Sequence, residues 1–274
     1  MHKRTVFVIG GGGMVGATAA QVLAIKEVVS DIVLIDVAEE LVHGQAMDIN
    51  HATAFTNGVH VRVGGYADMQ DDDIVVIACG VPQGRDGNAE SRLDLVSKNA
   101  GIIRSVVGNI KAQGKQVYIV MVSNPVDVLT YIALKESGLP KERVFGTGTV
   151  LDTARLRVAL ANTLQVSQRH VHADVLGEHG DSSFPILSHA TIGGIPLADF
   201  PGYDAAMMAT IADDIRKAAY RIIEAKKATY YGIGHVVAQV VEALQGERAS
   251  IMPVCSLAEG EYGLHDVVEG YQAA

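Results

Sequence analysis

The stretch Leu176-Gly177-Glu178-His179-Gly180-Asp181-Ser182 sets a histidine between glycines and carboxylates, and histidine is the side chain whose charge changes near neutral pH. Such a residue can move a proton if a carboxylate fixes its tautomer and stabilises its charged form. Asp152 and Arg155 lie three residues apart at the start of a helical stretch, and so on one face of it. In isolation they read as a solvated ion pair, or as an acid suited to a helix N-terminus. Beside His179 they read as an orienting acid and as a guanidinium able to grip a carboxylate with two parallel hydrogen bonds. Arg92 closes the glycine-rich segment 80–92 and offers a second cation, carried on a lid, for a developing oxyanion.

These residues need a frame. Thr5–Ile9 is a short apolar run that ends in Gly10-Gly11-Gly12-Gly13-Met14-Val15-Gly16, and Ala17–Ile25 has helical composition. Strand, glycine turn and helix in that order fit the dinucleotide pattern Gly11-x-Gly13-x-x-Gly16. The glycines allow a tight turn and close approach of a pyrophosphate to the helix N-terminus, with Met14 and Val15 in the same turn. A second strand, Asp31–Asp36, ends in an acid 20 residues after Gly16. That spacing suits a ribose 2′-hydroxyl and repels a 2′-phosphate, so Asp36 favours NAD over NADP. The reading with no function attached is an acid that ends a strand.

Strands at Val59–Val63, Ile74–Cys79 and Gln116–Val122 alternate with helices over Leu93–Gln113 and Val126–Glu136. This rhythm predicts a Rossmann-type α/β fold, a doubly wound parallel sheet over residues 1–146. Ligands on such sheets bind at the carboxyl ends of the strands, where segment 80–92 and Ser123-Asn124-Pro125 fall. From about Gly146 the texture changes. A helix to Leu164, a strand over His170–Leu176, helices over Ala205–Lys227 and Gly232–Leu244, and a strand at Ile251–Leu257 make residues 147–274 a second, α+β substrate domain.

The bulk numbers narrow the class. The 274 residues are 49% hydrophobic, enough for two cores, and 22 basic against 31 acidic residues give no polybasic patch. Nucleic acid and acidic membrane are poor partners. Cys79 and Cys255 form neither a disulfide framework nor a CxxC pair, which fits a reducing compartment, with cytoplasm the default. The basic, apolar start imitates a signal peptide, but four glycines interrupt it, and no stretch reaches the ~20 apolar residues of a membrane span.

Three other readings compete. Tyr131-Ile-Ala-Leu-Lys135 has the Tyr-x-x-x-Lys spacing of a tyrosine-based proton donor, although any helix aligns such a pair. His170, His172, His179 and Asp181 supply the ligand types of a metallohydrolase, a reading that wastes the cofactor fingerprint. A non-catalytic NAD-binding module needs only the glycine turn and Asp36.

The chain resembles the L-lactate/L-malate dehydrogenase family, most closely its bacterial lactate members, along nearly its whole length. The residues that carry this are the glycine turn with Asp36, Ala78-Cys-Gly-Val-Pro-Gln83, Ser91-Arg92-Leu-Asp-Leu-Val96, Ser123-Asn124-Pro-Val-Asp127, Leu151-Asp152-Thr-Ala-Arg155, Gly177–Ser182, Ala228-Thr229-Tyr-Tyr-Gly232 and Gly260–Gly263. The resemblance implies an NAD-dependent oxidoreductase of glycolysis and fermentation, acting on a 2-oxo/2-hydroxy acid without a metal. It makes His179 the proton donor and acceptor, Asp152 its orienting partner, Arg155 the carboxylate anchor and Arg92 the group that polarises the carbonyl. Asn124 helps hold that geometry and Thr229 contacts substrate. Gln83, counted forward from Ala78, occupies the position that favours pyruvate over oxaloacetate. Counted back from Arg92, Arg85 or Asp86 falls closer, which leaves malate or a bulkier 2-hydroxy acid as the alternative. Arg157 and His172 match positions that bind fructose 1,6-bisphosphate in allosteric bacterial members. A homotetramer or dimer is implied. Family members also continue beyond Gly260–Gly263 through more strand and a long helix, whereas this sequence ends at Ala274, so weaker assembly is expected.

Overall fold

The computed structural model describes residues 4–81, 92–246 and 248–273, with residues 92–95 described by backbone alone. Two compact units emerge. The first comprises Met1–Thr147, Tyr230–Ser250 and Ser256–Val268; the second comprises Gly148–Thr229, Ile251–Cys255 and Glu269–Ala274. By compactness this partition differs from a contiguous 147–274 domain, because Tyr230–Ser250 and Ser256–Val268 fall in the first unit.

The first unit opens with β1 (Val6–Ile9), α1 (Met14–Lys26), β2 (Asp31–Ile35), α2 (Glu39–Ala52) and β3 (His60–Val63), and continues with β4 (Ile74–Ile77), α3 (Arg92–Ala112), β5 (Tyr118–Met121), α4 (Val126–Ser137) and β6 (Val144–Gly146). β1 and β4 are buried at every residue, as continuous apolar runs in a parallel sheet covered on both faces must be. All described registers from β3 to β6 are parallel. The sheet order β3-β2-β1-β4-β5-β6 reverses between β1 and β4, the switch point where such folds bind nucleotides.

α5 (Val150–Leu164) begins the second unit, followed by the short strands β7 (Val171–His172), β8 (Val175–Leu176), β9 (Phe184–Pro185), β10 (Thr191–Ile192) and β11 (Ile195–Pro196), and by α6 (Ala205–Lys226). Leu156 and Leu160 of α5 share a core with Val171, Val175, Ile192 and the α6 residues Met208, Ile211 and Ile215. The strand expected over His170–Leu176 is therefore two pieces that face different partners: β7 pairs with β10, and β8 pairs with β9. α7 (Tyr231–Gln245) belongs to the first unit, where Gly234 lies against Thr18 of α1 so closely that a Cβ would come within 2.8 Å of its methyl group. β12 (Met252–Glu259) and β13 (His265–Ala273) then extend the sheet past β6.

The turn into α5 is tight. Gly148 adopts φ +47°, and a Cβ there would stand 2.5 Å from the Cys255 amide nitrogen. Gly114 is also left-handed, at φ +67°, but in open space. Gly148→Ala therefore combines backbone strain with a clash and should cost about 2 kcal/mol or more, whereas Gly114→Ala carries strain alone, about 1 kcal/mol. Urea unfolding of the two variants measures the difference, and equal losses would show that crowding at Cys255 contributes nothing.

Candidate active site

In the second unit His179 meets Asp152 and Arg155, a pair some two dozen residues before it in sequence. His179 Nδ1 lies 2.6 Å from Asp152 Oδ2, and Arg155 donates from its terminal nitrogen to Asp152 Oδ1 at 2.9 Å. Asp152 is 8% exposed, against 15% for Arg155 and 23% for His179, so the carboxylate is the deepest member. Burial by itself pushes the Asp152 carboxyl up, but the hydrogen bond and charge of His179, together with Arg155, outweigh it and hold the group below the usual carboxylate range. An ionised carboxylate on Nδ1 fixes the imidazole tautomer and leaves Nε2 as the atom for proton exchange.

The loop that carries His179 is anchored at its start. Gly177, at φ +92°, exchanges hydrogen bonds with Gly270 at 2.9 and 3.0 Å. A Cβ on Gly270 would meet the Thr149 hydroxyl at 2.8 Å, so β13 passes this point only as glycine. Asp181, beside His179 in sequence, turns elsewhere and accepts from the Tyr220 hydroxyl.

The first unit holds a nucleotide cradle. Gly10, at φ +88°, and Gly11 both donate to the Ile35 carbonyl, and Asp36 accepts from the amides of Gly12 and Ala38 at 2.9 and 3.0 Å. A Cβ on Gly16 would fall 2.2 Å from the Gly10 carbonyl oxygen, so only glycine lets the start of α1 pack this closely on the end of β1. Met14 and Val15 begin α1, whose first turn contains no acid. Gly11, Gly13, Met14, Val15, Gly16 and Asp36 thus fit an NAD cofactor: a positive helix end for the phosphates and a fixed carboxylate for the ribose.

Asn124 follows β5 and precedes Pro125 across a cis bond. Its carbonyl accepts from Asn99 Nδ2 at 2.8 Å, while Asn99 Oδ1 accepts the Val81 amide at 2.8 Å. The sequence reading does not single out Asn99; the signal is an asparagine whose neighbours three and four residues away in α3, Leu95, Val96, Ile102 and Ile103, are all apolar. Thr229 is half-buried just before α7. Arg92 begins α3, but its side chain and Gln83, like Arg85 and Asp86, lie outside the described residues. Arg157 donates to the Ala173 carbonyl at 3.0 Å and to Asp174 Oδ1 at 2.9 Å, and His172 is exposed on β7.

The competing motifs disperse. Tyr131 and Lys135 both bond Asp266 at the surface. Among the described residues no three His, Cys, Asp or Glu side chains are grouped as metal ligands. The Cys79 thiol, pushed up to about 11 by burial, is no nucleophile at neutral pH.

A carboxyl group depressed by folding contributes stability above its unfolded value of about 3.9, and this is lost as pH falls through the lower folded value. The wild-type protein should therefore be more stable than Asp152→Asn at pH 5, with the gap closing below about pH 4. Urea unfolding at pH 5, 4 and 3 measures this, and a gap that stays constant to pH 3 contradicts it.

Comparison with known proteins assigns the family and the fold. Residues 4–146 match the model of the lactate/malate dehydrogenase NAD binding domain, and residues 149–272 match that of the alpha/beta C-terminal domain. An L-lactate dehydrogenase from Latilactobacillus sakei is 40% identical over 99% of this chain and 83% of its own length. L-lactate dehydrogenase 2 of Bacillus cereus is 44% identical over 97% of this chain and 85% of its own. The crystal structure of minor L-lactate dehydrogenase from Enterococcus mundtii in its ligands-bound form superposes with a TM-score of 0.94, at 39% identity, over 100% of this chain and 87% of that one. The chain belongs to the lactate/malate dehydrogenase family, with the NAD binding domain of that family at its N-terminal end.

Proposed function

We propose that this chain is an NAD-dependent L-lactate dehydrogenase, and the observation that carries the reading is the His179–Asp152–Arg155 arrangement. The first unit binds the cofactor and the second supplies the proton and the carboxylate anchor. When bound, NADH supplies a hydride to the carbonyl carbon of a 2-oxo acid, which leaves an alkoxide in need of a proton. His179 delivers that proton from Nε2, while Asp152 stabilises the imidazolium beforehand. In the reverse direction the neutral imidazole takes the hydroxyl proton of lactate. Arg155 anchors the substrate carboxylate, Arg92 polarises the carbonyl, and Asn124 and Thr229 hold the substrate in place. Gln83 selects the methyl group of pyruvate over the second carboxylate of oxaloacetate.

The same reading includes a cytoplasmic homo-oligomer, a tetramer or dimer, and fructose 1,6-bisphosphate as a candidate effector at Arg157 and His172. Arg157 is already engaged by Asp174, so a phosphate must compete with that carboxylate.

Steady-state rates with NADH test the reading. Pyruvate should be strongly preferred to oxaloacetate, with activity unaffected by chelators, and reduction should slow as pH rises and the imidazolium is lost. A preference for oxaloacetate would make the enzyme a malate dehydrogenase instead. His179→Ala should lower kcat by roughly 10³-fold, the scale of general acid catalysis, with NADH binding retained. Unchanged turnover in that variant sinks the mechanism. Repeating the assay with fructose 1,6-bisphosphate decides the effector.

A further inference from the structure

Thr149 stands at the N-cap of α5, where a threonine ordinarily bonds its hydroxyl to an amide of the first helical turn. Here it makes no such bond. Its Oγ1 lies instead 2.5 Å from the Val175 carbonyl oxygen, with the Pro253 carbonyl more distant at 3.3 Å. One turn along, Thr153 Oγ1 accepts the Val175 amide at 2.9 Å. Both polar backbone groups of Val175 are therefore taken by hydroxyls of a single helix. Thr149, Val175 and Thr153 are 0%, 1% and 3% exposed, so bulk solvent does not compete for either bond. On its other side Val175 pairs with Pro185, which has no N–H to offer.

The placement matters because of what lies between and beyond. Residues 149, 152 and 153 share one helix face, so Asp152 projects from the surface that grips β8. Val175 in turn is four residues ahead of His179. Apolar packing of β8 on α5 is non-directional and tolerates small slides, whereas a hydrogen bond of 2.6 Å does not.

We propose that Thr149 and Thr153 are positioning residues for the acid–base pair: by fixing Val175 to the first turn of α5 they set the distance between Asp152 and His179. This rests on the reading of His179 as the proton-transfer group. Neither threonine touches the imidazole or the carboxylate in this role; they act through the β8 backbone.

The test compares Thr149→Val and Thr153→Val, which keep volume and lose the hydroxyl, with Thr149→Ser and Thr153→Ser, which keep the hydroxyl. Pyruvate reduction is followed against pH, NADH affinity by fluorescence and stability by thermal unfolding. Each valine variant should lose roughly 10- to 100-fold in kcat, the cost of a sub-ångström to ångström misplacement, with NADH affinity within about twofold of wild type. The pH at which activity declines should move down, because a less well placed carboxylate stabilises the imidazolium less. The serine variants should recover most of the loss. Valine variants that melt earlier but keep wild-type kcat and pH midpoint would overturn the proposal and leave the threonines as plain stitching. If Thr149→Val does not fold, Thr153→Val decides by the same readouts. His179→Ala is run in the same series: full turnover there defeats the parent reading, whereas its collapse beside unaffected valine variants defeats only the positioning role.

Discussion

A carboxylate buried as deeply as Asp152 is tolerable only if both oxygens are satisfied by charged or strongly polar partners, because an unpaired buried charge costs several kcal/mol. One oxygen takes His179 and the other takes Arg155. The position of Asp152 in the first turn of α5 adds the favourable end of the helix dipole. Much of the second unit follows from keeping that arrangement intact. Gly148 turns the chain into α5 where any side chain would strike the Cys255 backbone. Gly177 and Gly270 pair at a point where a Cβ would strike a hydroxyl and a carbonyl. Gly148 and Gly270 thus stand where a Cβ would clash, and Gly177 where the backbone takes a φ of +92° that favours glycine.

The first unit solves a different problem with the same residue type. Its glycines let the chain pack closely on itself, and the Gly16 contact with the Gly10 carbonyl locks α1 to the end of β1. Asp36 closes the turn by accepting from Gly12, so the carboxylate is oriented before any cofactor arrives. α7 supports this from a distance in sequence, with Gly234 lying against Thr18 one turn into α1.

Parallel strands were easy to read because burial on both faces makes them continuous apolar runs, as Val6–Ile9 and Ile74–Ile77 are. α2 escaped because it buries only Val42, Ala46 and Ile49 and carries Gly44 and polar residues elsewhere. β6 is three residues long, below what any pattern resolves, and β13 is largely polar at its exposed start. For the site, the types and spacing of Asp152, Arg155 and His179 were legible because few other jobs need all three. Thr149 and Thr153 were not, because a threonine at a helix start reads as a cap, and only coordinates reveal that its hydroxyl has another acceptor. Asn99 hid for a related reason: its two backbone partners, Val81 and Asn124, come from different strand ends.

The charge of the triplet bears on what it can bind. With a neutral imidazole, one carboxylate and one guanidinium cancel; with the imidazolium, the three groups carry a single positive charge. On the proposed reading, a monocarboxylate meets a net positive charge when His179 holds its proton, and by linkage its arrival would favour that protonated state. Substrate binding and readiness for proton delivery are one equilibrium seen from two sides. The second carboxylate of a dicarboxylate must find its own cation elsewhere, and the sequence places Arg85 in segment 82–91. The triplet suits any 2-oxo acid with one carboxylate to anchor, and discrimination among such acids falls to residues outside it.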